Sequence, residues 1–229
     1  MALYAIGDLH LSLSTDKPMD VFGGGWINYA EKIKAGFQKL DCEDICIICG
    51  DVSWGMSLSE SLKDFLFIDE LPGKKIILKG NHDYWWDTAT KMRMFFEENG
   101  ISNIEILHNN CFHYNDVAIC GTRGWCTDEQ FTKEQNEKIM KREVQRLRTS
   151  LHAAGTAESK ICFFHYPPRF KNTVCHDIIC VMNEFNVEKC VYGHIHGDGH
   201  RFALNGLIEG VEYMMVSADY IGFTPQRIL

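Results

Sequence analysis

The feature of this sequence that most constrains its fold is a set of five short apolar runs that each end in Asp, Asn or His. Runs of four or five apolar residues have the length and composition of buried β-strands. Helical patterns separate several of them, and this alternation predicts an α/β fold with largely parallel central strands. Such folds bind ligands at the carboxyl ends of their strands. The polar ends are Asp8-Leu9-His10, Asp51, Asn81-His82-Asp83, His165 and His194-Ile195-His196.

The other predicted elements follow the same alternation. Strands are predicted at 3–6, 45–49, 75–78, 104–107, 111–114, 117–120, 161–164 and 189–192. Helices are predicted at 27–40, 59–71, 88–98 and 128–154. We interpret 201–216 as antiparallel strands, with Asn205-Gly206 as a tight hairpin turn.

The composition is that of an ordinary globular protein. The chain has 229 residues, of which 45% are hydrophobic and 24% are charged. No linker-like segment interrupts it, so we predict a single domain over 1–229. No run reaches the roughly 18 apolar residues of a membrane span. Ten cysteines without a secretory signal favour a reducing compartment, and we expect a cytoplasmic protein with no membrane partner.

Cys42, Cys46 and Cys49 have a spacing that is associated with iron–sulfur clusters. Cys46 and Cys49 lie on the strand predicted at 45–49, however, and residues three apart on a strand point to opposite faces. We therefore expect these cysteines to act as small buried hydrophobic residues instead.

The segment 141–148 is the one candidate for a basic, nucleic-acid-binding stripe. Its basic residues alternate with Glu143, Val144 and Leu147 at helical spacing, which favours the solvated face of an amphipathic helix. The formal net charge is −8. Because binding to a phosphate backbone depends on Lys and Arg, nucleic acid is not expected as a partner.

Taken singly, each polar strand end is weak evidence, since a Gly-Asp pair or a lone His is more often a turn or a core residue. Together they indicate a metal centre, because independent turns give no reason for Asp, Asn and His to collect at one edge of a sheet. Imidazole and carboxylate ligands suit zinc, iron or manganese, whereas calcium prefers oxygen ligands only. Five of the ten histidines stand at these ends: His10, His82, His165, His194 and His196.

The charge of such a centre favours phosphate chemistry. Two divalent ions bring four positive charges, and Asp8 and Asp51 return two negative ones. Because the remaining ligands are neutral His and Asn, a bridging hydroxide leaves about one net positive charge. The site would attract a phosphate anion and stabilise the negative charge that develops in the transition state.

These five motifs, in this order, resemble those of the calcineurin-like metallophosphoesterases. The resemblance spans residues 7 to 196 and implies a four-layer αββα sandwich with two mixed sheets and a dinuclear centre at the carboxyl ends of the strands. It implies two divalent transition-metal ions, manganese, iron or zinc, as cofactors. The implied ligands are Asp8, His10, Asp51 and His196 for one ion, and Asp51, Asn81, His165 and His194 for the other.

The same resemblance implies the catalytic roles. A metal-bridging hydroxide would attack phosphorus, and His82 would protonate the leaving group while Asp83 orients its ring. Protein Ser/Thr phosphatases of the superfamily carry a second Asp and an Arg after the second motif, and Val52-Ser53-Trp54-Gly55 has neither. We therefore expect a small phosphate monoester or phosphodiester as the substrate, as in bacterial-type members.

Four residues are candidates for substrate binding. Arg123 follows a predicted strand, where it could grip a phosphate or form a structural ion pair. Trp54, Tyr84 and Trp125 could stack on an aromatic substrate or pack in the core. A nuclease, a non-catalytic scaffold and a mononuclear enzyme remain alternatives, and the sequence does not indicate an oligomeric state.

Overall fold

The computed structural model of the chain describes residues 1–125 and 130–229. The strands are β1 Leu3–Ile6, β2 Ile45–Ile48, β3 Lys74–Ile77, β4 Ile104–Ile106, β5 Phe112–Tyr114, β6 Val117–Thr122, β7 Ser159–Phe164, β8 Arg169–Phe170, β9 Thr173–Val174, β10 Lys189–Tyr192, β11 Gly206–Ile208, β12 Val211–Met215 and β13 Gln226–Arg227. The helices are α1 Tyr29–Phe37, α2 Leu62–Asp69, α3 Ala89–Glu98, α4 Lys133–Ala153 and α5 His176–Glu184.

Two mixed sheets form the centre of the fold. The first has the strand order β13-β1-β2-β3-β4, in which β1 to β4 are parallel and β13 is antiparallel to β1. The second has the order β11-β12-β10-β7-β6-β5, with parallel strands in the middle and antiparallel strands at both edges. Strands β8 and β9 form a separate antiparallel pair.

Three hydrophobic cores separate four layers. The two sheets pack face to face through residues such as Ile47 of β2 and Phe163 of β7. On the outer face of the first sheet, α1, α2 and α3 contribute buried side chains such as Phe37 and Phe65. On the outer face of the second sheet, α4 and α5 contribute residues such as Leu147. The predicted α/β sandwich of two mixed sheets between helices is therefore confirmed.

The cysteines near β2 follow the two faces of this strand. Cys46 lies in the core between the first sheet and its helices, and Cys49 lies in the core between the two sheets. Both side chains are fully buried. The prediction that they cannot share one cluster is confirmed, but Cys42 is exposed and is not one of the buried thiols.

Some predicted elements differ from the structure. Asn205-Gly206 is not the hairpin turn: β11 and β12 pair across Glu209-Gly210, whose φ angles of 50° and 86° suit a tight turn. Helix α4 begins at Lys133 rather than at 128, because Thr132 and Gln135 form a capping box. The part of the predicted helix over 128–129 lies outside the described residues. Helix α5 was not predicted.

Lys75 on β3 is a fully buried lysine. Its ammonium group donates hydrogen bonds to the carbonyl oxygens of Asp69, Leu71 and Gly73, at 3.2, 2.5 and 2.8 Å. Burial lowers the pKa of Lys75 from 10.5 to about 8 because the charged form loses its hydration. Folding therefore opposes the protonated form of this residue.

We expect the contribution of Lys75 to the free energy of unfolding to rise with pH. Its folded pKa lies below its unfolded value, so between about pH 8 and 10.5 the unfolded chain binds more protons. From pH 7.5 to 9.5 the stability of the wild type relative to Lys75→Met should rise by about 2 kcal/mol in urea unfolding. Lys74→Met, at an exposed neighbouring position, is the control. An equal pH trend in both variants would contradict the expectation.

Candidate metal centre

The predicted site residues meet where the carboxyl edges of the two sheets face each other. Asp8, Asp51 and Asn81 follow β1, β2 and β3 of the first sheet. His165 follows β7, and the His194-Ile195-His196 segment follows β10, in the second sheet. The Nδ1 atom of His165 lies 3.0 Å from the carbonyl oxygen of Cys49, which joins the two edges directly. All seven predicted metal ligands therefore lie at one place in the fold.

The backbone turns sharply at these strand ends. Asp8, His10, Asp51 and His194 have φ angles of 60°, 47°, 50° and 74°, in the left-handed region that non-glycine residues rarely adopt. Such strain costs on the order of 1 kcal/mol per residue and is common at functional sites. It directs the side chains of four predicted ligands inward immediately after their strands.

Glycine is required beside two of the carboxylates. A Cβ atom at Gly80 would lie 2.1 Å from Oδ1 of Asp51, and one at Gly193 would lie 2.4 Å from Oδ2 of Asp8. Both distances are shorter than any van der Waals contact. The glycines in these two motifs therefore allow neighbouring loops to approach the carboxylates closely.

One group of donor atoms brings together Asp8, His10, Asp51 and His196. The Nε2 atom of His10 lies 3.4 Å from Nε2 of His196 and 3.6 Å from Oδ2 of Asp51. Nε2 of His196 lies 3.4 Å from Oδ1 of Asp8. Bonds of about 2.0–2.2 Å to a shared ion would place neighbouring ligand atoms roughly 3 Å apart or slightly more. These distances fit a metal ion.

A second group contains Asp51, Asn81, His165 and His194. The Nε2 atom of His165 lies 2.6 Å from Oδ1 of Asn81, 3.2 Å from Nδ1 of His194 and 3.5 Å from Oδ2 of Asp51. If Nδ1 of His165 donates its hydrogen to the Cys49 carbonyl oxygen, Nε2 carries a lone pair that faces these other acceptors. A cation at this point would satisfy them together, so this donor set also fits a metal ion.

The protonation states of three of the four histidines in these groups suit metal binding. Burial lowers the pKa of His165 and of His194 to about 3, so both rings are neutral and can bind a metal ion. Burial also lowers the pKa of His10 well below its ordinary value. His196 differs: burial opposes its charged form, but Asp8 and Asp219 outweigh burial and raise its pKa to about 10.

His82 lies beside these groups without belonging to them. Its backbone N–H donates to Oδ1 of Asp51 at 2.8 Å, and its ring centre lies 5.7 Å from that of His10 and 4.5 Å from that of Trp54. Within the described residues, Nδ1 of His82 has no hydrogen-bond partner. Burial lowers the pKa of the ring, which is half-buried. A group in this position can exchange a proton with a ligand bound at the centre.

Asp83 does not orient the ring of His82, contrary to the prediction. Its fully buried carboxylate accepts hydrogen bonds from the backbone N–H groups of Gly80, Asp51 and Val52 at 2.7, 3.0 and 2.8 Å. It also accepts one from the indole N–H of Trp85 at 3.0 Å. The carboxylate therefore holds the loops after β2 and β3 together, which positions the metal ligands on both.

Asp219 is a functional residue that the sequence interpretation missed. Its carboxylate lies 2.8 Å from Nδ1 of His196 and accepts a hydrogen bond from the backbone N–H of Gly197 at 3.1 Å. It thereby directs Nε2 of His196 toward Asp8. Asp219 follows β12, so the sequence pattern that could have predicted it is an acidic residue shortly after an apolar strand. Residues 201–216 were interpreted as antiparallel strands, so the carboxyl end of β12 was not assigned to the sheet edge that carries the other ligands. In the structure β12 is parallel to β10, which places this end at that edge.

The four candidate substrate-binding residues divide into two pairs. Trp54 stacks on His10 with 5.0 Å between ring centres and 23° between planes, and Tyr84 is exposed and meets His82 edge-on at 6.1 Å. Trp125 is buried, and its indole N–H donates to Asn136, which fits core packing. Arg123 lies 3.6 Å from the carboxylate of Glu143, and its guanidinium lies 5.0 Å from the centre of the Trp125 ring.

The sequence model of the calcineurin-like phosphoesterases matches residues 1–198. The chain belongs to this family. It is therefore a metal-dependent phosphoesterase, a hydrolase that requires divalent metal ions, and the family implies a small phosphate ester as its substrate. The resemblance stated from the five motifs is confirmed. A search of curated proteins finds no match.

Solved structures share the fold at low sequence identity. A phosphopantetheinyl hydrolase from Mycobacterium tuberculosis is 14% identical, with a TM-score of 0.61 over 100% of this chain and 95% of that one. The protein TT1561 of Thermus thermophilus is 11% identical, with a TM-score of 0.59 over 98% and 96%. A protein of unknown function from Aquifex aeolicus is 15% identical, with a TM-score of 0.51 over 99% and 95%.

Among the described residues, no helix combines the length and the apolar composition that crossing a membrane requires.

We expect Asp219→Asn to weaken metal binding roughly 10- to 100-fold, since the hydrogen bond that orients His196 would lose its charged acceptor. The measurement is the metal dissociation constant, obtained by titrating stripped protein with manganese or zinc. Asp198→Asn, which changes an exposed acid two residues after His196, is the control for lost charge. Equal affinities in Asp219→Asn and in the control would show that Asp219 does not support the centre.

Proposed function

We propose that the chain hydrolyses a small phosphate monoester or phosphodiester at a centre of two divalent transition-metal ions. One ion would be held by Asp8, His10 and His196, and the other by Asn81, His165 and His194. Asp51 would bind both ions. The observation that carries this proposal is the place of Asp51: its Oδ2 atom lies 3.6 Å from Nε2 of His10 and 3.5 Å from Nε2 of His165. One carboxylate oxygen thus lies between the two groups of donors.

The donor set supports manganese, iron or zinc. It contains imidazole nitrogens as well as carboxylate and amide oxygens. Manganese, iron and zinc accept both kinds of ligand, whereas calcium and magnesium favour oxygen ligands only. Such ions, when bound, would supply a hydroxide nucleophile at neutral pH and would stabilise charge on the phosphoryl oxygens. Asp8 and Asp51 are the carboxylates among the proposed ligands, so the centre stays positive and attracts an anionic ester.

His82 is the proposed general acid. Its ring faces the centre, is not a proposed ligand, and is tilted against Trp54, which limits its movement. Because its Nδ1 atom has no hydrogen-bond partner within the described residues, no neighbour fixes which nitrogen carries the proton. A protonated His82 beside the bound ester would give its proton to the departing alkoxide.

A pocket of about 490 Å³ beside His82 supports an organic group on the ester. Its walls are largely apolar and include Phe22, Trp26 and Trp54, and His10 and His196 also line it. Phe22 is largely exposed and Trp26 is buried, so the pocket extends from the ligands to the surface. An apolar or aromatic alcohol would pack there with its oxygen near His82.

The alternatives are less well supported. A nuclease would need a basic groove, whereas the pocket beside His82 is apolar and the net charge is −8. A non-catalytic scaffold would not need His82 and the complete ligand set at one place.

The first test is activity of metal-stripped protein after manganese, iron or zinc is added back. We expect metal-dependent release of nitrophenol from nitrophenyl phosphate or from bis-nitrophenyl phosphate, and the ratio of the two rates identifies the ester class. Asp51→Asn should abolish turnover and lower the content of both metal ions, because Asp51 binds both ions in the proposed centre. Full metal content without turnover would contradict the proposed function. One ion per chain in the wild type would indicate a mononuclear centre, and loss of only one of two ions in Asp51→Asn would show that Asp51 does not bridge them.

We expect His82→Ala to retain its metals but to slow hydrolysis of an alkyl phosphate roughly 10²- to 10⁴-fold. The nitrophenyl ester should suffer much less, because nitrophenolate leaves without protonation. The measurement is kcat for both substrates in the wild type, in His82→Ala and in His113→Ala, an exposed histidine on β5. If the two substrates lose rate equally, His82 is not the general acid.

A further inference from the structure

A second cavity, of about 530 Å³, lies beside the metal centre and is lined by basic residues. We call it the cationic cavity. It lies at the carboxyl ends of β3, β4 and β6, and α4 covers it. The polar residues that line it include Lys79, His108, Arg123, Arg142, Glu143 and Arg146. None of these residues belongs to the metal centre or to the apolar pocket.

The positive charges of the cationic cavity exceed its negative ones. Glu143 is fully buried and already has partners: the guanidinium groups of Arg146 at 2.6 Å and Arg123 at 3.6 Å, and the hydroxyl of Thr122 at 2.5 Å. Asp87, the other acid at the cavity, pairs with Lys91 instead.

Two of the cations are left without a carboxylate. Within residues 1–125 and 130–229, neither Lys79 nor Arg142 has an ion-pair partner. Nε of Arg123 is buried and likewise lacks a hydrogen-bond partner among these residues. Cations that converge on a cavity without enough counter-charge repel each other, and a bound anion relieves that repulsion.

The neighbouring histidine reflects the same potential. Burial is the largest cause that lowers the pKa of His108; Arg146 and Lys79 lower it further, and Glu143 opposes them. The neutral ring adds a hydrogen-bonding group to the wall without adding negative charge.

The cationic cavity borders the metal centre on the side of Asn81 and His165. Lys79 precedes Asn81 by two residues, which limits their Cα separation to about 7 Å. The backbone carbonyl of Arg123 accepts hydrogen bonds from the backbone N–H groups of His165 and Tyr166, at 3.2 and 2.9 Å. The loops that carry Asn81 and His165 therefore also contribute to the walls of this cavity or contact them.

We propose that the cationic cavity binds a second anionic group of the substrate, a phosphate beyond the one that is hydrolysed. This inference rests on the proposed function and narrows its substrate class to small molecules that carry two phosphate groups. A guanidinium group pairs with two phosphate oxygens at once, so the arginines here suit this ligand. The apolar pocket beside His82 is lined by other residues than the cationic cavity, so this pocket remains free to bind an organic part of the same molecule.

A discrete cavity favours a small molecule over a nucleic acid. Single strands and duplexes bind along extended basic grooves that follow several phosphates. Here the two cations that lack an ion-pair partner among the described residues, Lys79 and the exposed Arg142, line one cavity, and the protein carries a net charge of −8. Arg142 and Arg146 come from the segment whose basic residues were interpreted as a solvated helix face, and α4 directs both toward the cavity.

The test is calorimetric binding of alkane bisphosphonates with two to six methylene groups, each compared with the monophosphonate of the same length. The protein is metal-loaded, and the wild type is compared with Arg142→Gln, Lys79→Gln and Lys141→Gln. Lys141 is exposed, next to Arg142, and outside the cavity, so its variant is the matched control for lost charge.

For the wild type we expect a bisphosphonate of suitable length to bind at least about tenfold more tightly than its monophosphonate. That ratio should fall severalfold in Arg142→Gln and in Lys79→Gln and persist in Lys141→Gln. A ratio near one at every length, or an unchanged ratio in both cavity variants, would overturn the proposal.

The proposed function is separable from this result, since calorimetry requires no turnover. If the protein hydrolyses nitrophenyl esters but shows no preference for bisphosphonates, only the proposal for the cationic cavity is overturned. A strong preference that depends on Arg142, in a protein that hydrolyses no ester, would overturn the proposed function alone.

Discussion

The buried carboxylate of Asp83 is the contact on which the geometry of the centre depends. It accepts hydrogen bonds from the loops after both β2 and β3, which carry Asp51 and Asn81. Burial raises its pKa to about 6, although these N–H donors stabilise the charged form. A buried carboxylate needs such partners, so the two loops must stay together for the charge to be tolerated. The ligands on them are thereby placed before any ion binds.

The remainder of the centre follows from the meeting of two sheet edges. Each sheet alone brings part of the ligand set to its carboxyl edge, and neither part could surround two ions. The core between the sheets aligns the edges, and the contact of His165 with the Cys49 carbonyl joins them. The apolar pocket and the cationic cavity then lie next to the centre, lined by different residues. This division suits a substrate with one apolar and one anionic part.

Much of the centre could be predicted because strand ends are local features. Asp8, Asp51, Asn81, His165, His194 and His196 each follow an apolar run within a few residues, and parallel strands bring such ends to one edge. The role of Asp83 could not be predicted, since its position beside His82 in sequence does not reveal that its partners are backbone N–H groups of another loop.

The sequence by itself predicted the α/β fold, the side chains proposed as metal ligands and the edge of the sheets at which they lie, and the four-layer arrangement followed from the family resemblance. These depend on hydrophobic periodicity and on residues adjacent to strands, which short segments specify. Only the tertiary structure decided that β12 runs parallel to β10, that Asp219 therefore reaches His196, and that α4 closes the cationic cavity. Those features depend on pairing and packing between segments far apart in the chain, which no local pattern encodes.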